Sequence, residues 1–158
     1  MTGKLHTILI RKHITVAAAE SCTAGLFSYL LTSTPGSSRY FTMSVVSYSN
    51  ESKSKLLHVA PSLLKEKGAV SEEVALRMAR TIRKIARADY GIAITGIAGP
   101  QGATFGKPVG TVYIAIARRS AADCQLFHFR GSRSAIRTRA AKKALQLLLK
   151  SILKKSHL

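Results

Sequence analysis

The sequence predicts a single α/β domain, a three-layer α/β/α sandwich around a mixed, mostly parallel sheet. Three observations carry that expectation. Apolar runs of strand length alternate with amphipathic, helix-length segments along the chain, the pattern of a sheet covered by helices on both faces. Turn formers such as Pro35-Gly36-Ser37-Ser38 punctuate the alternation, and no linker is long enough to divide domains. Near the end two strand-like runs, 111–117 and 125–129, follow one another directly. A hairpin there, turning around 120–123, makes the sheet mixed rather than wholly parallel.

Taken in order, residues 5–11 read as a short helix and the buried-type run 14–19 as the first strand. Ser21 or Thr23 then opens a helix ending near Thr32. Residues 40–48 are rich in β-branched and aromatic side chains and read as a second strand. Asn50 is the expected N-cap of a helix carrying Lys53, Leu56 and Leu57, and Pro61 starts another. Ser71-Glu72-Glu73 begins the clearest helix, with a cap and two acids in its first turn. Its apolar stripe is Val74, Ala75, Met78, Ala79, Ile82 and Ile85, while Arg77, Arg80, Arg83 and Lys84 face water. Residues 90–95 form a strand, 96–110 a glycine-rich loop, and 132–153 a final amphipathic helix with Ile136, Leu145, Leu148 and Ile152 inward.

Composition narrows the setting. With 158 residues, 46% of them hydrophobic, the chain supports one domain core. No apolar run is long enough for a signal segment or a membrane span, and Cys22 and Cys124 form no disulfide scaffold. A reduced cytoplasmic protein, without membrane attachment, is expected. The net charge of +18 and pI near 10.6 favour anionic partners. No acidic residue follows Asp123, whereas Arg130, Arg133, Arg137, Arg139, Lys142, Lys143, Lys150, Lys154 and Lys155 do. This is expected to be a solvated helix face. Nucleic acid is a less favoured partner for it, because aromatic stacking platforms are not interleaved with the cations.

Reactive residues concentrate at two junctions, Ala19-Glu20-Ser21-Cys22-Thr23-Ala24-Gly25 and Tyr48-Ser49-Asn50-Glu51-Ser52-Lys53. A serine needs a base, yet no histidine sits in a recognisable motif and no G-x-S-x-G elbow is present. Lys53, provided that burial or a nearby cation depresses its pKa, and Tyr48, as a relay, are the candidates that would activate Ser21. Spacing alone favours reading Ser21 as a helix cap, Lys53 as a surface lysine and Tyr48 as core. Gly96-Ile97-Ala98-Gly99-Pro100-Gln101-Gly102 suits an anion cradle as well as a plain loop. Metal-ligand spacing is absent, and Cys22 is a minor alternative nucleophile.

Six stretches taken in order point further: the two junctions, Pro35-Gly36-Ser37-Ser38, the run 68–74, Thr95-Gly96-Ile97-Ala98-Gly99-Pro100, and Lys107-Pro108-Val109-Gly110-Thr111-Val112-Tyr113. Over roughly 15–149 the chain resembles the CinA C-terminal domain family, of competence/damage-inducible proteins. That resemblance implies an α/β/α sandwich and a nicotinamide-nucleotide amidohydrolase, which converts nicotinamide mononucleotide to nicotinate mononucleotide and ammonia. It implies Ser21 as nucleophile, with Tyr48 and Lys53 as its activating partners. Glu20, Thr23, Asn50, Thr95, Gly96, Gly99, Arg133 and Arg137 would bind substrate, without metal or cofactor. A homodimer is the expected assembly. Longer relatives carry an additional N-terminal nucleotide-processing domain, for which 158 residues leave no room. The chain departs from the family pattern at Ala24, often glycine in relatives, at Ser132, usually an acid, and across 101–106, which lacks the usual serine and acidic residues. Two other readings stay open: a binding or regulatory module of the same fold, and a hydrolase of a different amide.

Overall fold

The structure, a computed structural model, describes residues 2–154. Its elements run α1 (Thr2–Arg11), β1 (Val16–Glu20), α2 (Leu26–Leu31), a 3-10 turn (Ser37–Arg39), β2 (Phe41–Val46), α3 (Asn50–Leu57), α4 (Pro61–Lys67), α5 (Glu72–Ile85), β3 (Tyr90–Gly96), β4 (Thr111–Ala117), β5 (Ala122–His128) and α6 (Arg133–Lys154). The strand order is β2-β1-β3-β4-β5. β1 is parallel to β2 and β3, while β4 is antiparallel to β3 and β5, so β4 alone opposes the common direction.

Period-two alternation divides the core into two slabs. Val16, Ala18, Ile92, Ile94, Ile114 and Ile116 point toward α1, α2 and α6. Ala17, Ala19, Ala93, Ala115 and Ala117 point toward α3, α4 and α5. The buried apolar positions of β1, β3 and β4 on this second face are alanine, which lets α5 lie close to the sheet. Gly91 marks the tightest approach there: a Cβ would stand 2.2 Å from the Ala79 carbonyl oxygen. Helices on both faces of a mixed sheet are the architecture expected from the sequence.

Some boundaries differ, each for a local reason. The helix expected from Ser21 or Thr23 begins at Leu26, because the chain first turns through Ala24 at φ 47° and Gly25 at φ 91°. Ser49, not Asn50, caps α3: its Oγ accepts from Ser52 N at 3.0 Å while Ser52 Oγ accepts from Ser49 N at 3.1 Å, a reciprocal capping box. Leu56 and Ile85 are substantially exposed, since the inward face of α3 carries Lys53 and Leu57, and Ile85 ends α5. β5 starts at Ala122, held in register opposite Ala117. Ser71 caps α5, Pro61 opens α4, and Ile136, Leu145, Leu148 and Ile152 are buried as their spacing predicts. Lys155 lies outside the described residues.

Several cations of α6 are engaged within the molecule. Lys143 sits over the Phe127 ring at 5.2 Å, Arg139 donates to the Arg130 carbonyl, and Arg137 donates to the Thr23 carbonyl at 2.9 Å. The tail is therefore partly a tether onto the domain rather than a free basic stripe. Among the described residues, no helix is long and apolar enough to cross a membrane.

Candidate active site

The parallel strands β1, β2 and β3 end at the same edge of the sheet, where Glu20 pairs with both Val46 and Ile94. The chain leaves β1 through Ser21 and β2 through Ser47 and Tyr48, while β3 ends in Thr95 and Gly96. Crevices beyond the carboxyl ends of parallel strands are where open α/β sheets bind ligands. Here the crevice is a cavity of 220 Å³, with Ser21, Lys53, Thr95, Gly99, Tyr48 and Arg133 in its wall. Asn50 and Gly96 line it as well. At Gly96 a side chain has no room, since a Cβ would meet the Thr111 carbonyl oxygen at 2.7 Å.

Ser21 is held from below by its N–H, which donates to the Ile94 carbonyl at 2.9 Å. Its hydroxyl faces Lys53, whose Nζ donates to Ser21 Oγ at 3.0 Å and to the Ser47 carbonyl at 2.8 Å. Lys53 is only 1% exposed, because it shares with Leu57 the face of α3 turned toward the sheet. No carboxylate pairs with it among the described residues. Burial therefore pushes its pKa below the ordinary lysine value, against a weaker opposing influence from Cys22. The hydrogen-bond count agrees. An ammonium offers three protons to two acceptors here, whereas a neutral amine can donate to Ser47 and accept from Ser21.

Tyr48 stands elsewhere in the cleft. It is 56% exposed, and its hydroxyl accepts from Arg133 at 2.5 Å. The same guanidinium donates to the Gly99 carbonyl at 2.7 Å, so Arg133 bridges the β2 exit and the glycine-rich loop. Arg133 is presented by the first turn of α6. Ser132 caps that turn through its Oγ, which accepts from Ala135 N at 3.3 Å. A serine thus does the capping work that an acid at this position would do. Thr95 is buried and donates to the Ala69 carbonyl at 2.8 Å, tying the site to the segment before α5.

Glu20, Thr23 and Arg137, expected at the substrate, lie outside the cleft wall. The fully buried carboxylate of Glu20 caps α2 from a distance. It accepts from Gly25 N at 3.0 Å, Phe27 N at 3.1 Å, Ser28 N at 2.9 Å and Ser28 Oγ at 2.6 Å. Gly25 has no side chain to cap that helix, and a buried anion is well placed against its N-terminal N–H groups. Thr23 is fully buried with its carbonyl taken by Arg137. The pair pins the turn that carries Ser21 against α6.

Cys22, the alternative nucleophile, and Gln101 and Gly102 of the candidate cradle also line the cleft, as do Ala69 and Val70, which spacing did not single out for it. The Cys22 thiol is pushed up to about 12, chiefly by burial, which leaves it protonated and a poor nucleophile. Against burial, the backbone N–H of Cys22 itself draws the thiol value down, and that N–H meets no backbone carbonyl among the described residues. In the glycine-rich loop, Lys107 Nζ donates to the Lys67 carbonyl at 2.7 Å and anchors the loop to the end of α4. No three His, Cys, Asp or Glu side chains among the described residues are grouped to hold a metal ion.

A buried serine–lysine pair in such a cleft can move a proton off a hydroxyl, and comparison with known proteins shows where else this fold occurs. The family model described as CinA C-terminal domain matches residues 1–152. A CinA-like protein of Geobacter sulfurreducens is 50% identical over 142 residues, 90% of this chain and 34% of that protein. The chain thus spans about a third of the length of the curated relatives it matches. Solved structures match over nearly their whole length. The competence damage-inducible protein A of Klebsiella pneumoniae has a TM-score of 0.93 at 31% identity, covering 96% of this chain and 94% of that one. The competence/damage inducible protein CihA of Agrobacterium tumefaciens has a TM-score of 0.91 at 34% identity, covering 94% and 92%. By sequence and by structure, the chain belongs to the CinA C-terminal domain family.

Proposed function

We propose that this protein is a metal-independent amidohydrolase that deamidates nicotinamide mononucleotide, with Ser21 as nucleophile and Lys53 as its base. The observation that carries the reading is the 3.0 Å contact between the buried Lys53 amine and the Ser21 hydroxyl. Neutral Lys53 takes the Ser21 proton as Oγ attacks the carboxamide carbon. The N–H of Cys22, next to the nucleophile, supplies a donor for the oxyanion. The ammonium of Lys53 then protonates the departing nitrogen as the C–N bond breaks, releasing ammonia and leaving an acyl ester on Ser21. Lys53, neutral again, removes a proton from water. Hydroxide cleaves the ester, and the proton returns to Ser21, so one water is consumed per ammonia released.

The substrate rests on the family resemblance and on charge. The cavity suits the carboxamide-bearing ring, and Arg133 at the exposed rim suits the 5′-phosphate, as does the net charge of +18. The test is ammonia release from nicotinamide mononucleotide by the purified protein. Wild type is expected to turn the substrate over and Ser21→Ala to release none. Undiminished release by Ser21→Ala would remove the nucleophile assignment.

A further inference from the structure

We propose a second ligand site at the far end of α6, one that takes a small phosphomonoester with an apolar body. It is a cavity of 360 Å³ between the last turns of α6 and the β4–β5 hairpin. Its charged groups are Arg118 from the hairpin, Lys150 and Lys154 from one face of α6, and the single acid Asp123. Three cations against one carboxylate leave a local charge of +2. A phosphomonoester carries about −1.5 to −2 at pH 7 and matches it, whereas a monocarboxylate does not. Neither lysine forms an ion pair among the described residues.

The rest of the lining suits an organic phosphate. Gln125 and Ser151 bring neutral polar groups, while Ile114, Ile116 and Leu147 give an apolar floor. Arg118 is oriented by Asp123, to which its Nη2 donates at 2.5 Å. Its Nε is buried and meets no acceptor among the described residues. That nitrogen is closed to solvent, so a ligand in the cavity would meet the guanidinium at its terminal N–H groups.

This cavity is separate from the Ser21 cleft, and the two share no lining residue. Arg133 opens α6 at the cleft, and Lys150 stands 17 residues further along the helix, about 25 Å away at 1.5 Å per residue. A single monophosphate cannot reach both. The second site also stands independently of the reaction assigned to Ser21, since it is defined by binding alone.

The experiment titrates the full ¹⁵N-labelled chain with orthophosphate, and separately with phenyl phosphate, at constant ionic strength with chloride as the matched anion. Saturable shifts are expected at the Gln125 and Ser151 amides, with phenyl phosphate binding about tenfold more tightly than orthophosphate because its ring covers the apolar floor. The double variant Lys150→Gln/Lys154→Gln changes two exposed side chains and leaves the core intact. It is expected to weaken binding at these amides by about tenfold or more while leaving any phosphate response at Thr95 in the cleft unchanged. Shifts that chloride reproduces, or equal affinity in the double variant, would overturn the site. So would a response to duplex DNA with none to either small phosphate, which would assign the surface to nucleic acid instead.

Discussion

Replacing Lys53 with methionine separates the role of this side chain in chemistry from its effect on stability. Methionine keeps an unbranched apolar stem in a place that is 1% exposed, so the packing around Leu57 is retained. The variant should lose about 10²–10⁴ in kcat for ammonia release, the usual contribution of a positioned base. Its stability should change with pH in a defined direction. Burial lowers the Lys53 pKa in the folded protein, whereas the unfolded chain keeps the ordinary value of 10.5. Between those two values the unfolded chain holds more proton, so raising the pH stabilises the wild-type fold. Below the lowered value the wild type carries the full penalty of a buried charge, and above 10.5 it carries none. Methionine never carries it. The stability of the variant minus that of wild type should therefore be most positive at low pH and fall as pH rises, by no more than about 1.4 kcal/mol per pH unit for one proton. The hydrogen bonds lost at Ser21 and Ser47 cost the same at every pH, so they displace the curve without tilting it. Urea unfolding of both proteins from pH 6 to pH 10 reads the slope directly. A flat difference would mean that Lys53 keeps an ordinary pKa, and the base assignment would fail with it.

Three further substitutions probe the surroundings. Glu20→Gln turns an NH₂ toward backbone N–H groups that now meet carboxylate oxygens, and should destabilise the fold by about 3 kcal/mol in urea unfolding; a loss below about 0.5 kcal/mol would contradict the remote cap. Ala24→Gly relieves a non-glycine residue at φ 47°, and after the greater freedom of glycine in the unfolded chain it should raise stability by about 0.5–1 kcal/mol. No gain in melting temperature would show that the turn is unstrained. Tyr48→Phe removes the acceptor of Arg133 at an exposed position, so KM for nicotinamide mononucleotide should rise by roughly three- to tenfold with kcat little changed. A hundredfold fall in kcat would instead return Tyr48 to the proton path.

The layering and most elements were legible because they rest on local signals. Ser71 before two acids, Pro61 at a helix start and the period of Ile136, Leu145 and Leu148 each act within a turn or two of chain. Lys53 was harder to read. Its burial follows from sharing a helix face with Leu57, and a lysine at i−4 from a leucine is ordinarily solvated along its length. The β1 exit departs from its local pattern for a different reason. Ser21 looks like a cap, but a helix can be capped by a residue outside its first turn, and Glu20 reaches α2 only because β1 ends beneath it. The partners of Arg133 and Arg137 lie 34, 85 and 114 residues away, separations that no local pattern encodes.

These long-range contacts divide a site that reads as one unit in the sequence. Ser21 and Lys53 form a closed pair, dry enough that the amine's pKa is drawn below the ordinary lysine value. Tyr48 and Arg133 form an open pair at the rim, where solvent screens the guanidinium and a phosphate can approach it. Each arrangement defeats the other's purpose. A base at the rim would remain a solvated ammonium, and a buried arginine would be costly to strip of water before any ligand arrived. The two pairs meet only through backbone: Lys53 holds the Ser47 carbonyl, Tyr48 is the next residue, and Arg133 reaches from Tyr48 to Gly99. A ligand drawn by its phosphate to Arg133 would thus bear on the same short segment that fixes the Lys53 amine. In the proposed reaction, binding at the rim and proton transfer at the base would in this way be coupled by geometry while kept apart in dielectric.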